Sequence, residues 1–207
     1  MNYSTRITAA TLGIYAGLLC VEHGVFEIFQ GNVVTNGPMI NAMGPSCQPD
    51  AVWHACFPAL TLLPNFLTTG ILAIIIGLMV LIWAAGFVHR RHGGVILIFL
   101  SILMLPVGGG FIPAFIGVIA GKAGTRIHAP LTWWRRRSPS VLKTLPKLWP
   151  WTLILLLIWI FANWIFGILF NQLMLNLSFC FFFLFDIAFP LLMIFSSFTR
   201  DIVNSDP

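Results

Sequence analysis

The chain has 207 residues, of which 58% are apolar and 8% charged, with a formal net charge of +5 and a mean hydropathy of +0.94. A soluble domain of ordinary composition carries about 25% charged residues, so this chain has too few to cover a water-facing surface. That excludes a soluble globular protein, a disordered chain and a disulfide-rich secreted scaffold. It leaves an all-α, polytopic integral membrane protein, read as a single membrane domain over 1-207.

A helix needs about 20 apolar residues to cross a hydrocarbon core of roughly 30 Å. The first stretch that qualifies is about 7–30. Arg6 precedes it as in a signal peptide, but no small-x-small cleavage site follows, so it reads as a retained span. Gly13 and Gly17 form a GxxxG beside Ala9, Ala10 and Ala16, a face suited to close helix contact. The segment 31–56 contains no Lys or Arg and is the predicted outer loop. Within it, Cys47 and Cys56 enclose Gln48-Pro49-Asp50-Ala51-Val52-Trp53-His54-Ala55. A disulfide between them is the expected state in an oxidising compartment, with two free thiols or a metal site as alternatives. Cys20 and Cys180 lie within spans and read as small apolar fillers.

As one helix, the run Phe57–Val88 would reach ~48 Å. Pro58 and Pro64 shorten it, so 57–63 reads as a capping piece and about 64–88 as the second span. His89-Arg90-Arg91-His92-Gly93-Gly94 then stops it. The next apolar run, 95–121, is interrupted by Pro106-Val107-Gly108-Gly109-Gly110-Phe111-Ile112-Pro113. Two prolines around three glycines do not continue a helix, and each arm, at ~17 Å, is too short to cross alone. Two readings stand: a re-entrant hairpin, or a kinked fifth span. The hairpin carries a further requirement, because broken backbone at membrane depth must be shielded by protein. The Gly108–Gly110 turn should then be buried among other helices.

The linker 122–148 carries seven of the basic residues and no acidic one, with Trp133 and Trp134 inside it and Trp149 and Trp151 just beyond. Prolines at 130, 139, 146 and 150 are expected to break it into short pieces. Basic residues beside interfacial tryptophans fit a segment lying on the anionic leaflet of the lipid bilayer. The last two spans are about 151–170 and 174–198. The run Phe179–Phe185, rich in phenylalanine, reads as lipid-facing on most sides.

Lys and Arg mark the cytoplasmic side. With 95–121 re-entrant and both N-terminus and C-terminus inside, all eleven basic residues fall on one side. A fifth crossing would split the eleven into eight and three. The sequence therefore favours a plasma (cytoplasmic) membrane protein with both termini inside. Nucleic acid is not an expected partner, since no soluble domain exists to present a binding face. A homo-oligomer or a membrane partner subunit is the protein partner to expect.

Three of the six acids, Glu22, Glu27 and Asp186, lie inside apparent spans together with His23. Ionisable groups in a bilayer are costly and face a bundle interior or a cavity. His23 and Glu27 are four apart and share a helix face, whereas Glu22 points about 100° away. Asp186 and Asn163 fall at similar middle depth, so these five residues form a candidate intramembrane polar cluster. It has three readings: structural pairing between helices, a proton or solute relay, or a metal site near the outer face. No Walker, Rossmann, zincin, CxxC or nucleophile-elbow pattern occurs, and no cofactor or metal is assigned. The expected function is a small transport or channel-like protein; the alternative is a non-catalytic accessory or assembly subunit, and a membrane-embedded enzyme comes third.

Overall fold

The computed structural model describes residues 1–41, 57–137 and 139–205. Four helices are long and apolar enough to cross a membrane: Tyr3–Phe29, Phe66–Gly86, Ser140–Leu169 and Phe182–Ser205. The first, α1 (Tyr3–Phe29), packs against α2 (Phe66–Gly86). The close approach comes from glycine. A Cβ added at Gly24 would lie 2.6 Å from the carbonyl oxygen of Gly70, and one at Gly17 would lie 2.8 Å from that of Gly77. The converse holds at Gly70 and Gly77, which would strike Gly24 and Gly17. Both pairs repeat at seven residues in opposite chain directions, so α1 and α2 are antiparallel with a coiled-coil period. Gly13 extends this seam against Ala84. The GxxxG at Gly13 and Gly17 thus belongs to a longer glycine seam through Gly24.

The run 95–121 folds back on itself. Helix α3 (Gly93–Leu103) and helix α4 (Phe111–Gly124) are antiparallel neighbours: Gly94 abuts Gly121 and Thr125, and Gly117 abuts Ser101. Between them Gly108 and Gly110 both have φ of +84°, a conformation only glycine adopts without strain. Pro113 sits in the first turn of α4, where its missing N–H is not needed. All three glycines are buried, as shielding of the break requires.

The backbone at this tip finds its partners in a short two-stranded sheet, β1 (Met39–Asn41) paired antiparallel with β2 (Pro58–Leu60). Gly108 N–H donates to the Leu60 carbonyl at 2.9 Å, and Leu62 N–H donates to the Pro106 carbonyl at 2.9 Å. The piece 57–63 therefore covers the hairpin tip. Beyond it, Asn65 caps α2 by accepting from Thr68 N–H at 3.1 Å.

The prolines of the linker act differently from expectation. After the short α5 (Thr132–Arg135), a single helix α6 (Pro139–Leu169) runs through both Pro146 and Pro150. The third span and the second half of the basic linker are one helix of ~46 Å, longer than a hydrocarbon core. Its excess first turns carry Lys143 and Lys147, which places the charge outside the apolar stretch. The last span also starts later than 174. Two short helices, α7 (Asn171–Asn176) and α8 (Ser178–Phe181), precede a π-helical segment, Phe182–Ala188, which leads into α9 (Phe189–Ser205). Pro190 explains the π register. It has no N–H to offer the Asp186 carbonyl four residues back, and Phe189 N–H instead reaches Leu184, five residues back.

One end of the bundle collects the start of α1, the end of α2, both feet of the hairpin, the start of α6 and the end of α9. Asn2 binds the carbonyls of Ile127, Arg126 and Ala129. His128 Nε2 meets the His89 carbonyl at 2.7 Å, Trp149 donates to Thr8 at 2.9 Å and Trp134 donates to Thr199 at 2.8 Å. Asp201 accepts from the backbone N–H groups of Ser4 and Thr5, both at 2.8 Å, and from the Thr5 hydroxyl at 2.7 Å. A carboxylate there satisfies orphan donors at the positive end of the α1 dipole. All eleven basic residues sit on segments at this end. Arg137 and Arg200 lie over the rings of Trp134 and Trp149, at 4.9 and 4.7 Å.

The glycine seam gives a direct expectation. Gly24→Ala and Gly70→Ala should each lower stability by about 1–3 kcal/mol through overpacking. Gly86→Ala, where a Cβ meets nothing within 4 Å, should leave it unchanged. Thermal unfolding in mild detergent reads both; equal melting temperatures for Gly24→Ala and Gly86→Ala would remove the seam from the account.

Candidate functional site

Helix α1 presents three faces to three neighbours. Gly13, Gly17 and Gly24 meet α2. Cys20, His23 and Glu27 meet the hairpin tip, one residue per glycine. A Cβ at Gly109 would strike Cys20 Sγ, at Gly110 the His23 ring, and at Gly108 the Glu27 carboxylate. Tyr15, Leu19, Glu22 and Phe26 face the remaining side, towards α6 and the π segment.

The polar cluster expected from the sequence therefore divides. Glu22, His23 and Asp186 line one narrow cavity, with Tyr15, Trp159 and Pro113 among its walls. Tyr15 ties the two sides together: its hydroxyl donates to Asp186 Oδ1 at 2.9 Å. Asp186 projects from the π segment, a helix distortion often found where a side chain must be placed for function. Trp159 is held flat against Phe185, with ring centroids 3.7 Å apart and planes 7° from parallel, and so walls the cavity rigidly. Asn163 lines an adjoining groove that shares Tyr15, Leu19, Glu22 and Phe26 with this cavity.

Glu27 is apart from both. It is fully buried, its carboxylate lies against Gly108, and neither oxygen has a hydrogen-bond partner. His23 stands between the two environments, lining the cavity while its ring covers Gly110. The expected sharing of one face by His23 and Glu27 is what lets both reach the hairpin turn. Cys47, Cys56 and the disulfide expected between them lie outside the described residues. Among the described residues, no group of three or more His, Cys, Asp or Glu side chains is arranged to hold a metal ion.

Two residues that tie the structure together were missed by sequence reasoning. Tyr15 lies seven residues before Glu22, two helical turns along the same face, and that spacing was the available signal. Asp201 reads from sequence as an acid beyond the last span, and nothing local announces that it caps a helix 196 residues away. No family model, no curated protein and no solved structure matches the chain.

The chemistry available is that of acids, a phenol and an imidazole in a narrow cavity with aromatic walls. These groups exchange protons and bind cations. The isolated carboxyl of Glu27 generates its own test. A buried polar group without a partner costs about 1–3 kcal/mol. Glu27→Met, close in size, should therefore raise the melting temperature. A lower melting temperature would mean that the carboxyl is held by something its surroundings do not reveal.

Proposed function

We propose that the protein is a small transport or channel-like protein that moves protons, alone or coupled to a solute, past Glu22, His23 and Asp186. The single observation that carries this reading is the Tyr15–Asp186 hydrogen bond in a cavity shared with Glu22 and His23. Two carboxyls, a phenol and an imidazole line one cavity, and a hydrogen-bonded chain of such groups is how protons cross a low-dielectric interior. Structural pairing alone is a weak explanation for the cluster, because interhelical polar contacts in membranes average only about 0.6 kcal/mol.

In this reading the basic end of the bundle is cytoplasmic and rests on an anionic leaflet of the plasma membrane. Both termini are then inside and 93–124 is a re-entrant hairpin that opens to the cytoplasm. The support is the gathering of all eleven basic residues at the end where the hairpin has its feet. Each Lys or Arg beside an anionic surface adds about 1 kcal/mol.

Reconstitution in liposomes holding a pH-sensitive dye tests the mechanism. Under an imposed pH gradient the wild type should pass protons well above empty liposomes. Glu22→Gln and Asp186→Asn should fall to the background while keeping the wild-type melting temperature. Wild-type flux in both variants, or none in the wild type, would defeat the reading. Orientation is tested separately by a single cysteine at Arg126 in a background lacking native cysteines. An impermeant thiol reagent added to intact cells should leave it unmodified, and modification from outside would reverse the topology.

A further inference from the structure

The cavity that Tyr15, Glu22, His23 and Asp186 share has room for roughly one water molecule. Its walls come from α1, the start of α4, α6 and the π segment, with Pro113 and Trp159 beside the polar groups. On the side of the basic end it is shut. Each of four helices contributes one apolar side chain there: Leu12 from α1, Ile116 from α4, Leu156 from α6 and Met193 from α9. Leu12 lies three residues from Tyr15, Ile116 three from Pro113 and Leu156 three from Trp159, so each is ~4.5 Å beyond the cavity. All four are 0% exposed and belong with Tyr15 to one continuous core.

We propose that this site passes protons alone and takes neither a metal cation nor an organic solute, the proton crossing on a single water between Asp186 and Glu22. The inference rests on the proton reading above and removes the coupled solute from it. A proton needs no vacant volume of its own. The water accepts a proton from one carboxylic acid and gives another to the facing carboxylate, so it is unchanged after each passage. A hard metal cation takes about six to eight oxygen ligands. Among the described residues, no three His, Cys, Asp or Glu side chains are arranged around one point. An organic solute is larger than the space of one water. To leave towards the basic end it would also have to part Leu12, Ile116, Leu156 and Met193, which are packed side chain against side chain at the density of a core. A proton crosses the same layer on a transient file of water, without the helices moving apart.

The test uses the full chain in liposomes holding a pH-sensitive dye, with the membrane potential clamped by K⁺ and valinomycin. Proton flux should be the same whether Na⁺, choline or guanidinium is the other cation outside. Uptake of radiolabelled Na⁺ and guanidinium should equal that of empty liposomes. Leu19→Ala, which widens the cavity without adding charge, should let guanidinium seat between the carboxyls, and guanidinium should then slow the flux of this variant relative to the same variant without it. Na⁺ uptake above empty liposomes, proton flux that depends on the accompanying cation, or guanidinium that slows the wild type would each overturn the proposal while leaving proton transport in place. Guanidinium without effect on a folded Leu19→Ala would remove cavity size as the filter and overturn it as well. Absence of proton flux in the wild type would overturn the transport reading and this inference together.

Discussion

Backbone contact between α1 and α2, at Gly17 with Gly77 and Gly24 with Gly70, is the constraint from which the rest of the arrangement follows. Lipid tails are as apolar as leucine, so no hydrophobic force drives two helices together within a bilayer. Association depends on dispersion across a closely fitted surface, and that needs small residues. Removing side chains from one face of α1 lets α2 approach to contact distance. The other two faces of α1 are then free for larger neighbours. One receives the hairpin tip, and the other receives the aromatic wall of α6 and the π segment. The polar residues are distributed over these two faces, while the glycine face carries none of them.

The hairpin shows how broken backbone is tolerated. Its turn exposes peptide groups that a helix would have paired internally. The strand Pro58–Leu60 and the residues after it supply part of the missing partners, at Gly108 and Pro106. Glycine is required there twice over: by a φ of +84° at two positions, and by the side chains of Cys20, His23 and Glu27 pressing on the turn from α1. The break in one element is thus covered by a loop on one side and by polar side chains on the other.

How much of this was legible in the sequence differs by feature. The four long apolar helices follow from hydropathy, and the break at 104–110 follows from Pro and Gly, because both signals are local. The fold-back of the hairpin was one of two open readings, and its basis was global: only that path keeps every basic residue on one side. The continuous α6 was not legible. Pro146 and Pro150 are four apart in a helix that continues past both, whereas sequence reasoning treats each as a stop. The π segment was equally hidden, since Pro190 signals a lost hydrogen bond but not which way the chain will adjust. Within the candidate site, the shared face of His23 and Glu27 follows from spacing. The separation of Glu27 from Glu22 and Asp186 does not, because it depends on which neighbour each face of α1 meets.

The cap at the start of α1 bears on how the molecule is made. Ser4 and Thr5 leave the ribosome well before the carboxylate that satisfies their N–H groups, which arrives with Asp201, 196 residues after Thr5. Until then the first helix sits in the membrane with that end unfinished. At this point a helix made earlier is capped by a residue made much later. The same end of α9 also receives Trp134, which donates to Thr199, so one late-made helix end ties down both the start of α1 and α5.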